Sequence, residues 1–315
     1  MADGSVAATP RSSAAAPPPR AGTLRRLARR RSTLAFLMTL PLLVLLASLV
    51  VYPFFYATYL SMLNKRMTKF IGLDNFIFLL SRETFQMVIW QSVIFAVGAV
   101  VAKALIGFVL AHVLHALPAK GQRKWRGMLL VPWVIPPAIS TLAWWWLFDP
   151  SYSAFNWALA GIGVPAVPWL GEANWARFGV ILVNVWYGAP FFMIMYLAAL
   201  KSVPDQLYEA AAIDGASSLQ VLRYITLPMM QNIISITILF SLIVTFANFD
   251  IVRILTNGGP QDLTHVFGTY AFQVGIQSGD IPLGAAVSLF MFPMLAVFAI
   301  FILRGVNRRT KEMAG

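Results

Sequence analysis

Residues 209–228, EAAAIDGASSLQVLRYITLP, form a polar interlude between two long apolar runs, and their reading decides the fold. Glu209-Ala210-Ala211-Ala212-Ile213 has the composition of a helix, and Pro204 upstream suits a first helical turn. Asp214-Gly215 ends that helix, because glycine takes the left-handed conformation that closes a helix C-terminus. Ser217 with Gln220 three residues on is a capping box, opening a second helix with Leu219, Leu222 and Ile225 on one face. Pro228 is expected to reset the chain before the next apolar run. The segment is thus predicted to be two short helices at a sharp break, too polar to enter lipid and too apolar to float free. Such a piece lies at a membrane surface and offers a face to a partner. An ordinary interfacial loop is the plainer alternative.

The runs on either side set the class. The chain has 315 residues, of which 59% are hydrophobic and 11% charged, with a mean hydropathy of +0.72. No soluble domain of this size needs so much apolar surface. Six stretches nearly free of charge cover 34–60, 86–115 (interrupted by Lys103), 127–148, 178–200, 229–250 and 281–303. Each is long enough to cross about 30 Å of hydrocarbon, which takes about 20 helical residues. The fold expected is all-α and polytopic, with six transmembrane helices and the 209–228 loop between the fourth and fifth.

Charge gives the orientation. Residues 1–33 carry seven Arg among Ala, Pro and Ser, a composition that cannot bury a core and is expected to be disordered. With this tail inside the cell, the inner segments hold seventeen Lys and Arg and the outer ones six. Both termini and the 209–228 loop are therefore expected in the cytoplasm. The net charge of +12 is accounted for by this asymmetry and carries no suggestion of nucleic acid. There are no cysteines, which excludes disulfides and thiolate metal sites.

Catalytic patterns are missing from the sequence. No GxxxxGK[ST] occurs, so any use of ATP has to come from a partner. His112 and His115 share a helix face, but a metal needs further ligands and His265 falls on the opposite side of the membrane; interfacial histidines are the better reading. Lys103, inside a span, is the sharpest anomaly, since lysine there must face protein or water. Two readings stay open for it: bonding to backbone carbonyls of neighbouring helices, or lining a translocation pathway and holding a polar or anionic group. Asp250 either pairs with Arg253 on a helix surface or sits at the pathway mouth. Asn184, Tyr187, Gln91 and Asn248 are polar groups in or near spans that suit a hydroxylated solute or ties between helices. Trp144–Trp146, Trp157, Trp169, Trp175 and Trp186 fit an interfacial belt, the other readings being stacking on a sugar ring or contact with a docking protein.

Glu209-Ala210-Ala211, then Asp214-Gly215-Ala216, closed by Ile225-Thr226-Leu227-Pro228, resembles the EAA loop of membrane-spanning permease subunits of ABC importers. That family usually has Phe where this chain has Leu222, a change that keeps an apolar side chain. Ile71-Gly72-Leu73-Asp74-Asn75-Phe76 is similar to the GLxNF segment of carbohydrate-type permeases. Phe249-Asp250 through Leu255-Thr256-Asn257-Gly258-Gly259-Pro260, with Thr264, is similar to their FDxxxxLTxGGPxxxT stretch. The resemblance spreads over 34–305 and divides the chain into a basic cytoplasmic tail (1–33), a six-helix transmembrane domain (34–305) and a C-terminal tail (306–315).

The resemblance implies a permease subunit in a bacterial cytoplasmic membrane, without an ATPase site or cofactor of its own. ATP and Mg²⁺ would be held by two partner ATPase subunits. A second permease and a periplasmic or lipid-anchored solute-binding protein complete the assembly, and the solute is a sugar or related polar molecule. It further implies that Glu209 and Asp214 make polar contacts with the ATPase, that Gly215 shapes the break, and that Ala210 and Ala211 allow close approach, with Leu222 and Pro228 completing the loop. Lys103, Asn184, Tyr187, Asn248 and Asp250 are the candidates for the substrate pathway. An ion-coupled carrier and a non-transporting scaffold are the alternatives, and a carrier normally needs more ionisable groups in its spans than this chain has.

Overall fold

A computed structural model describes residues 31–314, with side chains from 35 to 304. The tail 1–30 lies outside the described residues. Helix begins at Arg31, so the stretch expected to be disordered ends sooner than residue 33. The helix Met291–Ala314 runs on through most of the stretch assigned to a C-terminal tail. Among the described residues there is no strand, only an isolated bridge between Leu63 and Phe70. The Asn75 side chain donates to the carbonyls of Ser61 and Leu63 at 2.8 and 2.9 Å and ties that turn down.

Among the described residues, five helices are long and apolar enough to cross a membrane: α1 (Ala35–Ser61), α2 (Glu83–His115), α3 (Ala173–Lys201), α4 (Ser218–Phe246) and α5 (Ile281–Arg304). Helices are the natural open-ended solution here, because in hydrocarbon every backbone polar group must be satisfied within its own segment. The described residues divide into two compact units, one ending at Phe55 and the other beginning at Tyr56. In the first, helix runs from Arg31 through a π turn at Ala47–Val51. Its apolar side chains, such as Phe36, Leu42 and Leu49, are exposed.

The stretch 127–148, expected as a single span, is instead three pieces: Ala119–Leu129, Val131–Val134 and Pro137–Leu147. Three prolines cause this. Ile135 is extended (φ −69°, ψ 134°), as a residue before proline prefers, and Pro136 and Pro137 cannot donate to the ladder. Pro228 does the opposite of what was expected. The chain is not reset there, because a π turn at Leu222–Thr226 precedes it and joins Ser218–Val221 to Leu227–Phe246 as one continuous helix. In the wider turn the Leu227 N–H bonds to the Leu222 carbonyl, which leaves room for the proline ring and its missing donor.

In the second unit the most extensive packing is between α2 and α3. Gly107 makes it possible: a Cβ there would come within 2.3 Å of the Phe192 Cβ and 2.9 Å of the Met193 nitrogen. Small residues at such crossings let backbones approach closely where lipid supplies no hydrophobic drive. Phe85, Val88, Phe192, Tyr196, Phe246 and Phe267 anchor the larger core, and Phe95, Phe148, Val180 and Ile251 a second one. The polar backbone left at the Val266–Phe267 turn is met by α2, whose Ser92 Oγ accepts from the Phe267 N–H at 3.1 Å.

Candidate functional site

The 209–228 segment folds as a capped elbow between α3 and α4. Its first helix is Asp205–Ile213. Gly215 has φ +70°; its N–H bonds to the Ala212 carbonyl at 3.2 Å and the Ala216 N–H to that of Ala211 at 2.9 Å. This pair of bonds satisfies the carbonyls the helix end would otherwise orphan. The Ser217 box is formed: its N–H donates to Gln220 Oε1 at 2.7 Å, and its Oγ accepts from the Gln220 N–H at 3.4 Å. The helix it opens is not a second short one, however, but the first turn of α4.

Within the elbow Glu209, Ala210, Asp214 and Gly215 are exposed and Ala211 is buried. Of the expected apolar face, Leu219 is 72% exposed, whereas Leu222 and Ile225 are half-buried. Ile213 (87% exposed) and Tyr224 (69%) join Leu219 as bare apolar side chains at this end of the bundle. Behind the elbow lies a cavity of about 550 Å³ bounded by His112, His115, Tyr208, Leu222 and Thr226. The His112 ring lies 4.1 Å from that of Phe108 and its Nδ1 2.9 Å from the Phe108 carbonyl. Among the described residues no three His, Cys, Asp or Glu side chains gather as a metal site.

Four of the five pathway candidates meet in the middle of the bundle. Lys103 of α2 is buried, and its Nζ donates to Asn184 Oδ1 at 2.9 Å and Thr245 Oγ1 at 2.8 Å. Its ties are therefore side-chain oxygens of α3 and α4, not the backbone carbonyls considered from the sequence. The reason is room: Gly188 leaves the space, since a Cβ there would stand 2.5 Å from Lys103 Cδ. Lys103, Asn184, Tyr187 and Asn248 line one cavity of about 60 Å³, together with Trp133, Phe191, Phe240 and Ser241. The signal for two of the missed residues was present: Ser241 and Thr245 stand four apart, and so on one face, in the apolar second half of α4. Trp133 left no such trace, because it arrives from the broken segment.

Asp250 is not part of this cavity. It opens the helix Asp250–Leu255, where a negative charge is favoured by the exposed N–H groups. Nor does it pair with Arg253, whose guanidinium bonds to Asn257 and lies 4.8 Å from the centre of the Phe272 ring. Gln91 is buried without a partner for either amide atom. The tryptophans divide: Trp144 and Trp169 pack with Phe148 and Phe155, and Trp144 with Trp186, while Trp146 and Trp157 are exposed.

The stretch after α4 folds around His265. Thr264 Oγ1 donates to the Gly259 carbonyl at 2.6 Å, and Arg177 Nε reaches the Leu263 carbonyl at 3.3 Å. The His265 Nδ1 lies 3.0 Å from Thr269 Oγ1 and its Nε2 3.3 Å from Asp262 Oδ1. Burial holds the imidazole pKa below its ordinary value near 6.5, with Asp262 opposing and Arg253 adding to the shift.

Among the described residues the chain is an all-helical, lipid-compatible bundle that carries a capped elbow and a polar central cavity, the architecture of a polytopic membrane protein. The chain belongs to the family of binding-protein-dependent transport system inner membrane components, whose model matches residues 103–312. It is 33% identical over 284 residues to the trehalose/maltose transport system permease protein MalF of Thermococcus litoralis, covering 89% of this chain and 95% of that one. It is 30% identical to the sulfoquinovosyl glycerol transport system permease protein SmoG of Agrobacterium fabrum, covering 85% and 89%. A bacterial ABC transporter that imports the acidic polysaccharide alginate superposes with a TM-score of 0.79 at 25% identity, over 91% of this chain and 99% of that one. The chain is a multi-pass membrane permease subunit of an ABC importer.

Proposed function

We propose that this subunit moves a sugar across a bacterial inner membrane, using ATP hydrolysed by partner subunits. The observation that carries the reading is the continuity of α4. Its first turn is fixed to the exposed elbow by the Ser217 capping box, and the same helix presents Ser241 and Thr245 to the central cavity. A push at the elbow is therefore delivered to the cavity wall along one continuous helix. Two ATPase subunits would grip the elbows of this chain and of a second permease, with Glu209 and Asp214 as polar contacts. The absence of a GxxxxGK[ST] sequence in this chain agrees with that division of labour.

In this reading the chain crosses six times, the third crossing being the proline-broken stretch 127–148, with the basic 116–126 segment, both termini and the elbow in the cytoplasm. The distribution of Lys and Arg supports this orientation. A solute-binding protein would deliver the sugar from outside, as the alginate importer is seen in complex with its pentasaccharide-bound periplasmic protein. Named relatives carry trehalose or maltose, galactooligosaccharides and sulfoquinovosyl glycerol, which supports a sugar and leaves its size and charge open. The test is to purify the tagged chain from membranes in mild detergent and identify what accompanies it. A P-loop ATPase and a second EAA-bearing permease are expected. A chain that purifies alone as a homo-oligomer, with uptake that follows an ion gradient after ATP depletion, would overturn the reading.

A further inference from the structure

We infer that the solute carries an anionic group, and that Lys103 recognises it. The inference rests on the reading of the central cavity as part of the solute's path, and it concerns the charge of what passes. Lys103 is 4% exposed, and the ion pairs among the described residues do not include it. No Asp or Glu stands on the cavity wall. The ammonium has three N–H bonds, and two of them go to neutral oxygens, Asn184 Oδ1 and Thr245 Oγ1. A cation taken out of water and given only neutral acceptors lacks most of what offsets its desolvation. An arriving carboxylate, sulfonate or phosphate supplies the missing charge and accepts the third N–H, a shorter and stronger bond than a hydroxyl would make.

The shape of the site agrees. A cavity of about 60 Å³ has room for about two waters, the scale of a small oxyanion. Around the charge stand the groups that sugars use: Asn248 and Tyr187 for hydroxyls, and Trp133, Phe191 and Phe240 as apolar faces. The rest of the solute would extend beyond this pocket while its acidic end is held at Lys103. Gly188 is part of the design, because a Cβ there would stand 2.5 Å from Lys103 Cδ and close the space the lysine stem occupies.

The experiment uses the assembled importer in detergent or nanodiscs without its binding protein, so that selection by that protein does not enter. Trp133 on the cavity wall is the reporter, checked by loss of the signal in Trp133→Phe. Two probes are titrated: a disaccharide ending in a uronic acid and its neutral counterpart. The acidic sugar is expected to bind at least about tenfold more tightly, and Lys103→Gln, which keeps polar donors and removes the charge, to abolish that preference. Equal binding of the two sugars by the wild type, or a preference for the neutral one, overturns the inference and leaves the sugar-importer reading standing. So does a preference that survives in Lys103→Gln. Absence of binding by either probe, in an importer that still hydrolyses ATP, removes both the inference and the cavity's place on the path. Should Lys103→Gln fail to assemble, Thr245→Val is the second variant: it frees another N–H for the anion and is expected to widen the preference, and a narrowed one counts against the proposal.

Discussion

Gly258 lies directly on the imidazole of His265: a Cβ at Gly258 would come within 2.1 Å of two ring atoms. The glycine also has φ +88°, so two separate constraints meet at one position. Asn257, Gln261 and Asp262 take positive φ as well, and this stretch is held by Thr264 and Arg177 rather than by any regular ladder.

Gly258→Ala is therefore expected to destabilise the folded chain by about 2–4 kcal/mol, combining left-handed strain with overpacking against a buried ring. Thermal unfolding of the purified subunit measures this. A loss no larger than that of an exposed-surface substitution would show that the ring can move aside.

The same imidazole sets a pH dependence. Its pKa is lowered chiefly by burial, so below the ordinary value near 6.5 the unfolded chain binds a proton that the folded one resists. Its contribution to stability is fully present above that value and is lost as pH falls through it towards the lower folded pKa. Asp262 opposes this shift and Arg253 reinforces it, with the Tyr270 ring 5.7 Å away. Unfolding midpoints between pH 5 and 8 should fall on the acid side, and His265→Gln should flatten that slope. An unchanged slope in the variant would assign the effect elsewhere.

At the elbow, a Cβ on Gly215 meets nothing within 4 Å, and the whole constraint is its φ of +70°. Gly215→Val is expected to cost about 1–2 kcal/mol locally and to uncouple ATP hydrolysis from uptake, because the elbow can no longer hold its break. Gly215→Asn, which tolerates this region, should retain coupling. Normal transport by the valine variant would refute the geometry.

In the cavity, Gly188→Ala places a methyl 2.5 Å from the current position of Lys103 Cδ. The lysine must leave Asn184 and Thr245, and overpacking of this kind costs about 1–3 kcal/mol. Solute-stimulated ATP hydrolysis should fall while co-purification with the ATPase persists. In a double-mutant cycle with Lys103→Ala the effect of Gly188→Ala should largely vanish; an additive result would place its cost outside the lysine channel.

Much of this was legible along the chain because it is local chemistry. Hydropathy and length mark α1 to α5, and the Gly215 break and the Ser217 box are written in adjacent residues whose bonds close within a turn. The sequence also marks Lys103 as anomalous, since a charge within an apolar run needs no neighbour to be noticed. It does not say where the charge goes. That Lys103 reaches Asn184 and Thr245, 81 and 142 residues away, depends on how three helices pack and on the space left at Gly188. The course of the chain at Pro132, Pro136 and Pro228 is a matter of the same kind: proline removes a donor everywhere, but whether the helix breaks or widens into a π turn depends on what the freed carbonyl and the ring then meet. The sequence by itself determined five of the six expected spans, the caps and the family; only the tertiary structure decided the broken third stretch, the cavity and the continuous helix that joins it to the elbow, because burial and contact between distant residues are properties of packing and not of any one stretch.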